Sequence, residues 1–198
     1  MSIASERGPE VGVLALQGDV EKHLVALERL GARGRRVRAG RDLEGLAALV
    51  LPGGESTTMA KGLDRHDLAK PIQEFATSGG ALLGTCAGAI LLARESIHHP
   101  VPTLGLVDLV AERNAYGTQV DSFVAPVDPG CDPLFEGMEC VFIRAPRLRE
   151  LAPTVEVLAR VDGAPVLVRQ GRRLVCTFHP ELTADLRVHR ALLECAQG

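Results

Sequence analysis

One cysteine in the chain has glycines at the spacing that suits a nucleophile. Cys86 lies in the sequence Gly84-Thr85-Cys86-Ala87-Gly88, after an apolar run at residues 81–84 and before a helical run. This G-x-C-x-G pattern indicates a sharp strand-to-helix turn, whose flanking residues must be small because the chain nearly folds onto itself. Such a turn exposes the thiol, and the helix N-terminus stabilises its reactive thiolate form. We therefore predict a nucleophile, rather than a buried structural cysteine between two ordinary glycines.

A histidine and a glutamate two positions apart could carry out the proton transfers that a thiol nucleophile needs. His179 and Glu181 follow an apolar run at residues 174–178, and active sites of open α/β sheets collect where such strands end. Pro180 favours an extended His179, so both side chains can project to the same side. Alone, the pair could be a loop histidine beside a solvated glutamate. Together with Cys86 it predicts a Cys-His-Glu triad, in which Glu181 orients the imidazole.

A glycine-rich segment could supply the hydrogen-bond donors for a negatively charged tetrahedral intermediate. Pro52-Gly53-Gly54-Glu55-Ser56 follows another apolar run, at residues 48–51, and can present bare backbone N–H groups. We predict an oxyanion hole formed by the backbone N–H groups of Gly54 and of Ala87, the residue after the nucleophile. Without the cysteine, Pro-Gly-Gly would be read simply as a turn.

The elements that must hold these residues alternate between strand and helix. The pattern predicts a buried strand at 11–16, a helix at 20–30 that Asp19 caps and Gly31 ends, a helix at 68–78 and a helix at 87–93. Beyond about Asp108, short strands are predicted at 141–144, 155–161, 165–169 and 174–178, with a Gln170-Gly171 hairpin turn and a closing helix at 185–196. The predicted fold is a single α/β domain over residues 1–198, with a mixed, mostly parallel sheet flanked by helices.

The composition argues against several other classes of protein. The 198 residues carry a formal net charge of −3, and the one locally basic stretch, residues 33–38, is interpreted as a solvated loop. The five cysteines are scattered and include no C-x-x-C pair, so we expect neither a disulfide framework nor a metal site. No apolar run approaches the roughly 18 residues of a membrane span, and the polar residues 1–10 do not form a secretory signal. A cytoplasmic location is expected, without nucleic-acid or membrane partners.

The elbow around Cys86 and the His179-Pro180-Glu181 sequence together resemble the class I glutamine amidotransferases, which have a flavodoxin-like α/β fold and a Cys-His-Glu triad. Further motifs over residues 11–190 resemble the PdxT family, the glutaminase subunit of pyridoxal 5′-phosphate synthase. These motifs are Leu16-Gln17-Gly18, Leu51-Pro52-Gly53-Gly54-Glu55-Ser56-Thr57-Thr58, Glu112-Arg113-Asn114, Gln119-Val120-Asp121-Ser122-Phe123, Phe142-Ile143-Arg144-Ala145-Pro146 and Phe178-His179-Pro180-Glu181-Leu182-Thr183.

The resemblance implies hydrolysis of L-glutamine to L-glutamate and ammonia, without a metal or an organic cofactor. Ammonia would pass to a barrel-shaped synthase subunit within a hetero-oligomeric complex, and Gln17 is a candidate for sensing that docking. The residues implied to hold glutamine are Gly54, Glu55, Ser56, Arg113, Ile143 and Arg144. A guanidinium suits the carboxylate of a free amino acid, as this assignment requires.

Two positions depart from the family pattern, and three other functions stay open. Thr118 stands where the family has arginine, and Asp19 replaces a small residue after Leu-Gln-Gly, changes that could alter contacts at the substrate or the docking surface. The alternatives are a glutaminase subunit of another pathway, a protease or stress protein of the same wider fold, and a regulatory subunit without activity. The PdxT-like motifs argue against the first, peptide cleavage would reveal the second, and the intact triad argues against the third.

Overall fold

The computed structural model describes residues 8–113 and 122–198. The sequence motifs that include Asn114, Thr118 and residues 119–121 therefore lie partly or wholly outside the described residues. The described helices are α1 Val20–Arg29, α2 Ser56–Arg65, α3 Ala69–Thr77, α4 Ala87–Leu92 and α5 Arg187–Gln197, with short 3₁₀ helices at Gly40–Leu43 and Pro180–Leu182. The described strands are β1 Glu10–Leu14, β2 Arg33–Val37, β3 Ala48–Leu51, β4 Ala81–Thr85, β5 Ala93–Ile97, β6 Val107–Glu112, β7 Ser122–Pro126, β8 Glu139–Ile143, β9 Arg147–Arg149, β10 Glu156–Val161, β11 Ala164–Gln170 and β12 Arg173–Cys176.

The central sheet has the strand order β10-β11-β12-β4-β3-β1-β2. The pairings from β12 through β4, β3 and β1 to β2 are all parallel, whereas β11 pairs antiparallel with both β10 and β12. The predicted fold class, a mixed and mostly parallel sheet flanked by helices, is confirmed. Because parallel strands place their carboxyl ends at the same edge, the segments after β12, β4, β3 and β1 share one edge of the sheet.

Helices cover both faces of this sheet, which explains why β3 and β4 are buried at every position. In β3, Leu49 and Leu51 point into a core that includes side chains of α2, α3 and α4. Ala48 and Val50 point the other way, into a core that includes side chains of α1 and α5. The continuous burial of β3 and β4 thus reflects two separate cores.

Smaller sheets lie beside the carboxyl edge and carry further residues to it. One contains β5, β6 and β9, and the other is the β7-β8 pair. Arg113 directly follows β6, and Ile143 is the last residue of β8. No described helix has the length and apolar character needed to cross a membrane.

Several local predictions were wrong or incomplete. Residues 33–37, read as a basic loop, form β2, an edge strand whose Arg33 and Arg35 pair with Glu10 of the neighbouring strand. Charged side chains are usual on an edge strand because they discourage pairing with another chain. Asp19 precedes α1 but makes no side-chain capping bond, and its carboxylate instead pairs with Lys22 at 2.7 Å. The sequence reading also omitted α2, which begins where only a turn was expected.

Candidate active site

The three proposed catalytic segments follow strands that are neighbours in the sheet. β4 ends immediately before Cys86, and its partners are β12 on one side and β3 on the other. His179 comes shortly after β12, and Pro52 to Gly54 come directly after β3. The parallel register therefore brings Cys86, His179 and the proposed oxyanion segment to one edge of the sheet, although His179 lies 93 positions after Cys86.

Cys86 occupies the strained turn that its sequence predicts. Its backbone has φ 48° and ψ −103°, an unusual conformation for a residue with a side chain, and it directly precedes α4. A Cβ on Gly88 would lie 1.9 Å from the carbonyl oxygen of Leu51, and one on Gly84 would lie 2.6 Å from the carbonyl oxygen of Gly88. Both flanking glycines are thus required because backbone approaches backbone at this turn.

His179 and Glu181 are held together as a hydrogen-bonded pair. The imidazole Nδ1 lies 2.8 Å from Oε1 of Glu181, so a proton on Nδ1 is donated to the carboxylate. The Glu181 side chain is fully buried, whereas the His179 side chain keeps 13% of its surface exposed at the pocket. Glu181 lies in the Pro180–Leu182 3₁₀ helix, where Pro180 occupies the first position. This short helix turns the glutamate back towards the histidine.

The electrostatics of the site favour a charged imidazole beside a charged carboxylate. Burial alone would lower the pKa of His179, but its interactions with Cys86 and Glu181 outweigh burial and raise that pKa to about 10. Burial alone would raise the pKa of Glu181, but the hydrogen bond from His179 and the nearby imidazoles hold it below its ordinary value. His179 can therefore hold a proton ready for donation at neutral pH.

The oxyanion segment lies against the base and the nucleophile. A Cβ on Gly53 would lie 2.5 Å from Cε1 and 3.1 Å from Nδ1 of His179, and 3.3 Å from Cβ of Cys86. Gly54 has φ +154°, a conformation that residues with side chains rarely adopt. Glycine at both positions lets the backbone approach the catalytic side chains and adopt this course.

Gln17 is in contact with the same segment. Its side-chain Oε1 accepts a hydrogen bond from the backbone N–H of Glu55 at 3.2 Å. A Cβ on the neighbouring Gly18 would lie 1.8 Å from the carbonyl oxygen of Gly53, so the loop after β1 packs directly on the oxyanion segment. A change in the position of this loop would be transmitted to Gly53 and Gly54.

These segments enclose a pocket of about 250 Å³, a volume suited to a small molecule. The structure brings together Cys86, Ala87 and His179 of the catalytic prediction with all six residues implied to hold glutamine, while Glu181 lies behind His179. Gln17, Ile90 and Pro146 also line the pocket, and the last two were not anticipated. The lining consists of Gln17, Gly54, Glu55, Ser56, Cys86, Ala87, Ile90, Arg113, Ile143, Arg144, Pro146 and His179.

Two of the implied substrate-binding side chains already have partners. The Glu55 carboxylate caps α2, accepting hydrogen bonds from the backbone N–H of Thr57 at 3.0 Å and of Thr58 at 2.7 Å. Burial alone would raise the pKa of Glu55, but these bonds and one from the Thr58 hydroxyl lower it to about 2. Arg113 lies 3.5 Å from Glu55 and donates to the Thr57 hydroxyl and to the carbonyl oxygen of His99. Glu55 therefore holds both a helix end and the guanidinium.

The segment after β8 forms the wall opposite the oxyanion segment. The carbonyl oxygen of Ile143 is 3.7 Å from Sγ of Cys86, and the Ile143 side chain is partly exposed in the pocket. Arg144 has a positive φ of 45°, so the chain turns sharply at the nucleophile. This backbone geometry gives Ile143 and Arg144 access to a bound molecule through main-chain groups.

Cys176 is packed in the core, as its position in an apolar strand suggested. It is fully buried, and this burial raises the pKa of its thiol well above the ordinary value. His98 and His99 are exposed residues with positive φ, and the carbonyl group of His99 accepts a hydrogen bond from Arg113. Two buried histidines near Glu181, His23 and His189, were missed.

Comparisons with known proteins identify the family of this chain. A family model described as the SNO glutamine amidotransferase family matches residues 13–197. The chain is 53% identical over 189 residues to a pyridoxal 5′-phosphate synthase subunit PdxT from Thermus thermophilus, covering 94% of this chain and 97% of that protein. It is 50% identical over 192 residues to the protein of the same name from Deinococcus radiodurans, covering 94% and 96%.

Solved structures give the same result. A crystal structure titled glutamine amidotransferase aligns with a TM-score of 0.89 and 49% identity, covering 95% of this chain and 99% of that one. The PurLQS structure from Thermotoga maritima aligns with a TM-score of 0.70 at 18% identity, covering 94% and 98%, which supports the fold. With its family model matched over nearly the whole chain and relatives at half identity, the chain belongs to the SNO glutamine amidotransferase family.

Proposed function

We propose that this chain hydrolyses L-glutamine to L-glutamate and ammonia through Cys86, His179 and Glu181, as the glutaminase subunit of a pyridoxal 5′-phosphate synthase. The observation that carries the proposal is the convergence of one pocket on Cys86, His179 and the backbone of Gly54 and Ala87. A nucleophile, a charged general acid and two backbone donors are the parts that amide hydrolysis needs. The high identity to PdxT proteins supports the pathway.

The reaction would proceed in two halves. The Cys86 thiolate attacks the side-chain amide carbon of glutamine, and the N–H groups of Gly54 and Ala87 donate to the negative oxygen. His179 then gives its proton to the departing nitrogen, which leaves as ammonia, and a thioester remains on Cys86. In the second half His179 takes a proton from water, the resulting hydroxide attacks the thioester, and glutamate leaves as the thiolate re-forms.

Arg113 is the proposed partner of the glutamine α-carboxylate. It lines the pocket, and its side chain is held by Glu55, Thr57 and His99. A guanidinium held in this way loses less side-chain entropy on binding a carboxylate. Because the Glu55 carboxylate is engaged at the helix end, we assign Glu55 the support of Arg113, and Gly54 and Ser56 complete this side of the pocket.

The partner is proposed to be a synthase subunit that docks at the carboxyl edge of the sheet and receives ammonia. Gln17 is the proposed sensor, since it links the surface loop after β1 to the backbone of Glu55. Movement of this loop on docking would reposition the N–H of Gly54. Activation is measured as the glutaminase activity with the synthase subunit divided by the activity without it. Replacement of Gln17 by alanine should lower this ratio, and an unchanged ratio would rule out the sensing role.

The function is tested by measuring glutamate release with and without a purified PdxT-compatible synthase subunit. Wild type should release glutamate, while Cys86→Ala should be inactive and Glu181→Gln strongly impaired. Cys195→Ala is the matched control, since Cys195 is a partly exposed thiol that lines a different pocket. A diazoketone analogue of glutamine should label Cys86 alone. Labelling of another cysteine, or glutamate release by Cys86→Ala, would refute the proposal.

A further inference from the structure

Two buried histidines lie behind the proposed triad, on the side of Glu181 that faces away from His179. His23 is on α1 and His189 is on α5, and neither side chain has any exposed surface. Nδ1 of His23 is 2.9 Å from Nε2 of His189, which is hydrogen-bonding distance. Nε2 of His23 is 3.4 Å from Oε2 of Glu181. A line of four side chains thus runs from His179 through Glu181 and His23 to His189.

The carboxylate determines how protons are arranged along this line. Oε1 of Glu181 faces His179, so Oε2 is the oxygen left for another donor. Within the described part of the chain, neither Oε2 of Glu181 nor Nε2 of His23 has a conventional hydrogen-bond partner, and the two atoms lie 3.4 Å apart. A carboxylate only accepts, so Nε2 of His23 carries the proton. Nδ1 of His23 must then accept from Nε2 of His189.

We propose that His23 is a positioning residue for the triad: it holds the Glu181 carboxylate by its second oxygen, and His189 fixes the tautomer in which His23 can do so. A carboxylate fixed at both oxygens keeps Oε1 directed at Nδ1 of His179. This inference rests on the proposed function, because the triad is its object.

The surroundings keep both histidines in the neutral form that this role requires. Burial lowers the pKa of His23, an effect that the positive His179 reinforces and that the Glu181 and Asp19 carboxylates oppose. Burial, reinforced by His23, lowers the pKa of His189 to about 3 against the opposing effect of Glu181. These groups come from α1 and the residue that precedes it, from α5, and from the segment that carries His179 and Glu181. A neutral imidazole has one donor and one acceptor nitrogen. His189 can therefore donate to His23 while His23 donates to Glu181.

The alternative is a purely structural role, in which the two histidines only fill space between α1 and α5. Both lie on the buried faces of their helices, next to Ala26 and Leu27 on α1 and to Val188 and Leu192 on α5. Space filling explains their burial, but an apolar residue would fill the same space without the cost of burying polar nitrogen atoms. It also gives no reason for the direction in which Nε2 of His23 points.

Two substitutions of similar polarity separate these explanations. In His23→Gln the amide nitrogen takes the place of Nε2 and can donate to Glu181, whereas in His23→Asn it takes the place of Nδ1 and cannot. We expect His23→Asn to lower kcat for glutamine about tenfold, with KM retained because His23 does not line the pocket. His23→Gln should stay within about threefold of wild type. His189→Gln and His189→Asn should differ in the same direction.

A second readout is independent of glutamine turnover. The rate at which iodoacetamide alkylates Cys86 is followed against pH by peptide mass spectrometry. Loss of a donor to Glu181 weakens the hold of that carboxylate on the charged His179, and a less firmly held imidazolium favours the Cys86 thiolate less. The alkylation rate at neutral pH should therefore fall in His23→Asn and stay at the wild-type value in His23→Gln. Thermal melting of each variant establishes that it is folded.

The outcomes distinguish failure of the inference from failure of the function. Glutaminase activity and an alkylation rate equal to wild type in folded His23→Asn would overturn the positioning role, as would equal losses in His23→Gln and His23→Asn. If wild type released no glutamate, the proposed function would fail. The alkylation profiles would still decide whether His23 acts on the triad through Glu181.

Discussion

Gly53 determines how closely the base can approach the nucleophile. A Cβ at this position would lie 2.5 Å from the His179 ring, so Gly53→Ala should push the imidazole away from Cys86. Misplacement of a catalytic group by about 1 Å costs on the order of 100-fold in rate, and we expect a loss of that size in kcat. Steady-state glutaminase kinetics with the synthase subunit measure it.

Gly105→Ala is the matched control for the loss of a glycine. Gly105 has φ +64°, and a Cβ there would meet no atom within 4 Å. The Gly105→Ala substitution should therefore lower the free energy of unfolding by about 1 kcal/mol through backbone strain and leave kcat unchanged. Equal kcat values for Gly53→Ala and wild type would show that the close approach of Gly53 to His179 does not matter for turnover.

The charge on His179 links the site to stability. Its pKa is about 10 in the folded chain and 6.5 ordinarily, so the folded state binds the proton more tightly. The resulting stabilisation is complete below about pH 6.5 and disappears as pH rises to about 10. Urea unfolding should therefore show that wild type loses stability relative to His179→Gln over this range. If the stability advantage of wild type over His179→Gln grew with pH, the proposed interactions of His179 would be contradicted.

Sequence reasoning at the residue scale identified the three residues of the proposed triad but not the groups behind them. Cys86, His179 and Glu181 carry local signals, namely the glycine spacing and the His-Pro-Glu sequence. His23 and His189 carry only helical periodicity, which places each on a buried face. Periodicity does not indicate which element packs against a buried helix face. The contact between His23 and His189, which are 166 positions apart in sequence, therefore required the three-dimensional structure.

The contact between α4 and β3 depends on Gly88. A Cβ there would lie 1.9 Å from the Leu51 carbonyl oxygen, which is backbone and cannot move aside cheaply. We expect Gly88→Ala to lower the free energy of unfolding by about 3 kcal/mol, because α4 must shift from the sheet. Chemical denaturation measures this change, and activity should fall as Ala87 moves with the helix.

Gly62→Ala in α2 is the matched helical control. The new methyl group would lie 3.0 Å from Cδ1 of Leu16, the end of a flexible side chain. The gain in helix propensity is about 1 kcal/mol and offsets this crowding, so stability should change by less than about 1 kcal/mol. A comparable loss in both variants would argue against the backbone contact as the cause.

The start of α2 depends on the ionised form of Glu55. Its pKa is lowered from 4.5 to about 2, so its stabilisation is present above about pH 4.5 and is lost as pH falls towards 2. Glu55→Ala should therefore lower the free energy of unfolding by about 1 kcal/mol at neutral pH, and this deficit should shrink over the acid range. Thermal unfolding at several pH values measures it. Glu74→Ala, in the middle of α3, should show no comparable deficit, and a pH-independent deficit in Glu55→Ala would contradict the assignment.

Element prediction succeeded where burial imposed a strong pattern. β3, β4 and α1 were placed within one or two residues because apolar runs and helical periodicity mark them. β2 was missed because an edge strand tolerates charged residues, and arginines at 33, 35 and 36 resemble a loop. α2 was not predicted because its sequence has a modest apolar content and directly follows the Pro-Gly-Gly turn.

At the scale of the whole molecule, the fold class could be predicted but the strand order could not. Alternating strands and helices indicate a largely parallel sheet. No local pattern states that β12 lies next to β4, because that choice depends on which arrangement buries both cores at once. The proposed active site depends on this pairing, since it is what places His179 beside Cys86.

The late position of β12 has a consequence for biosynthesis. Until the ribosome has released residues 173–181, β4 has an unpaired side, and Cys86 has neither base nor carboxylate. A growing chain therefore carries a thiol without its proposed acid and base, and by the proposed mechanism it cannot liberate ammonia before Glu181 has emerged. During the same interval the unpaired side of β4 can pair with other nascent chains. The need for chaperones should therefore be greatest just before β12 pairs with β4.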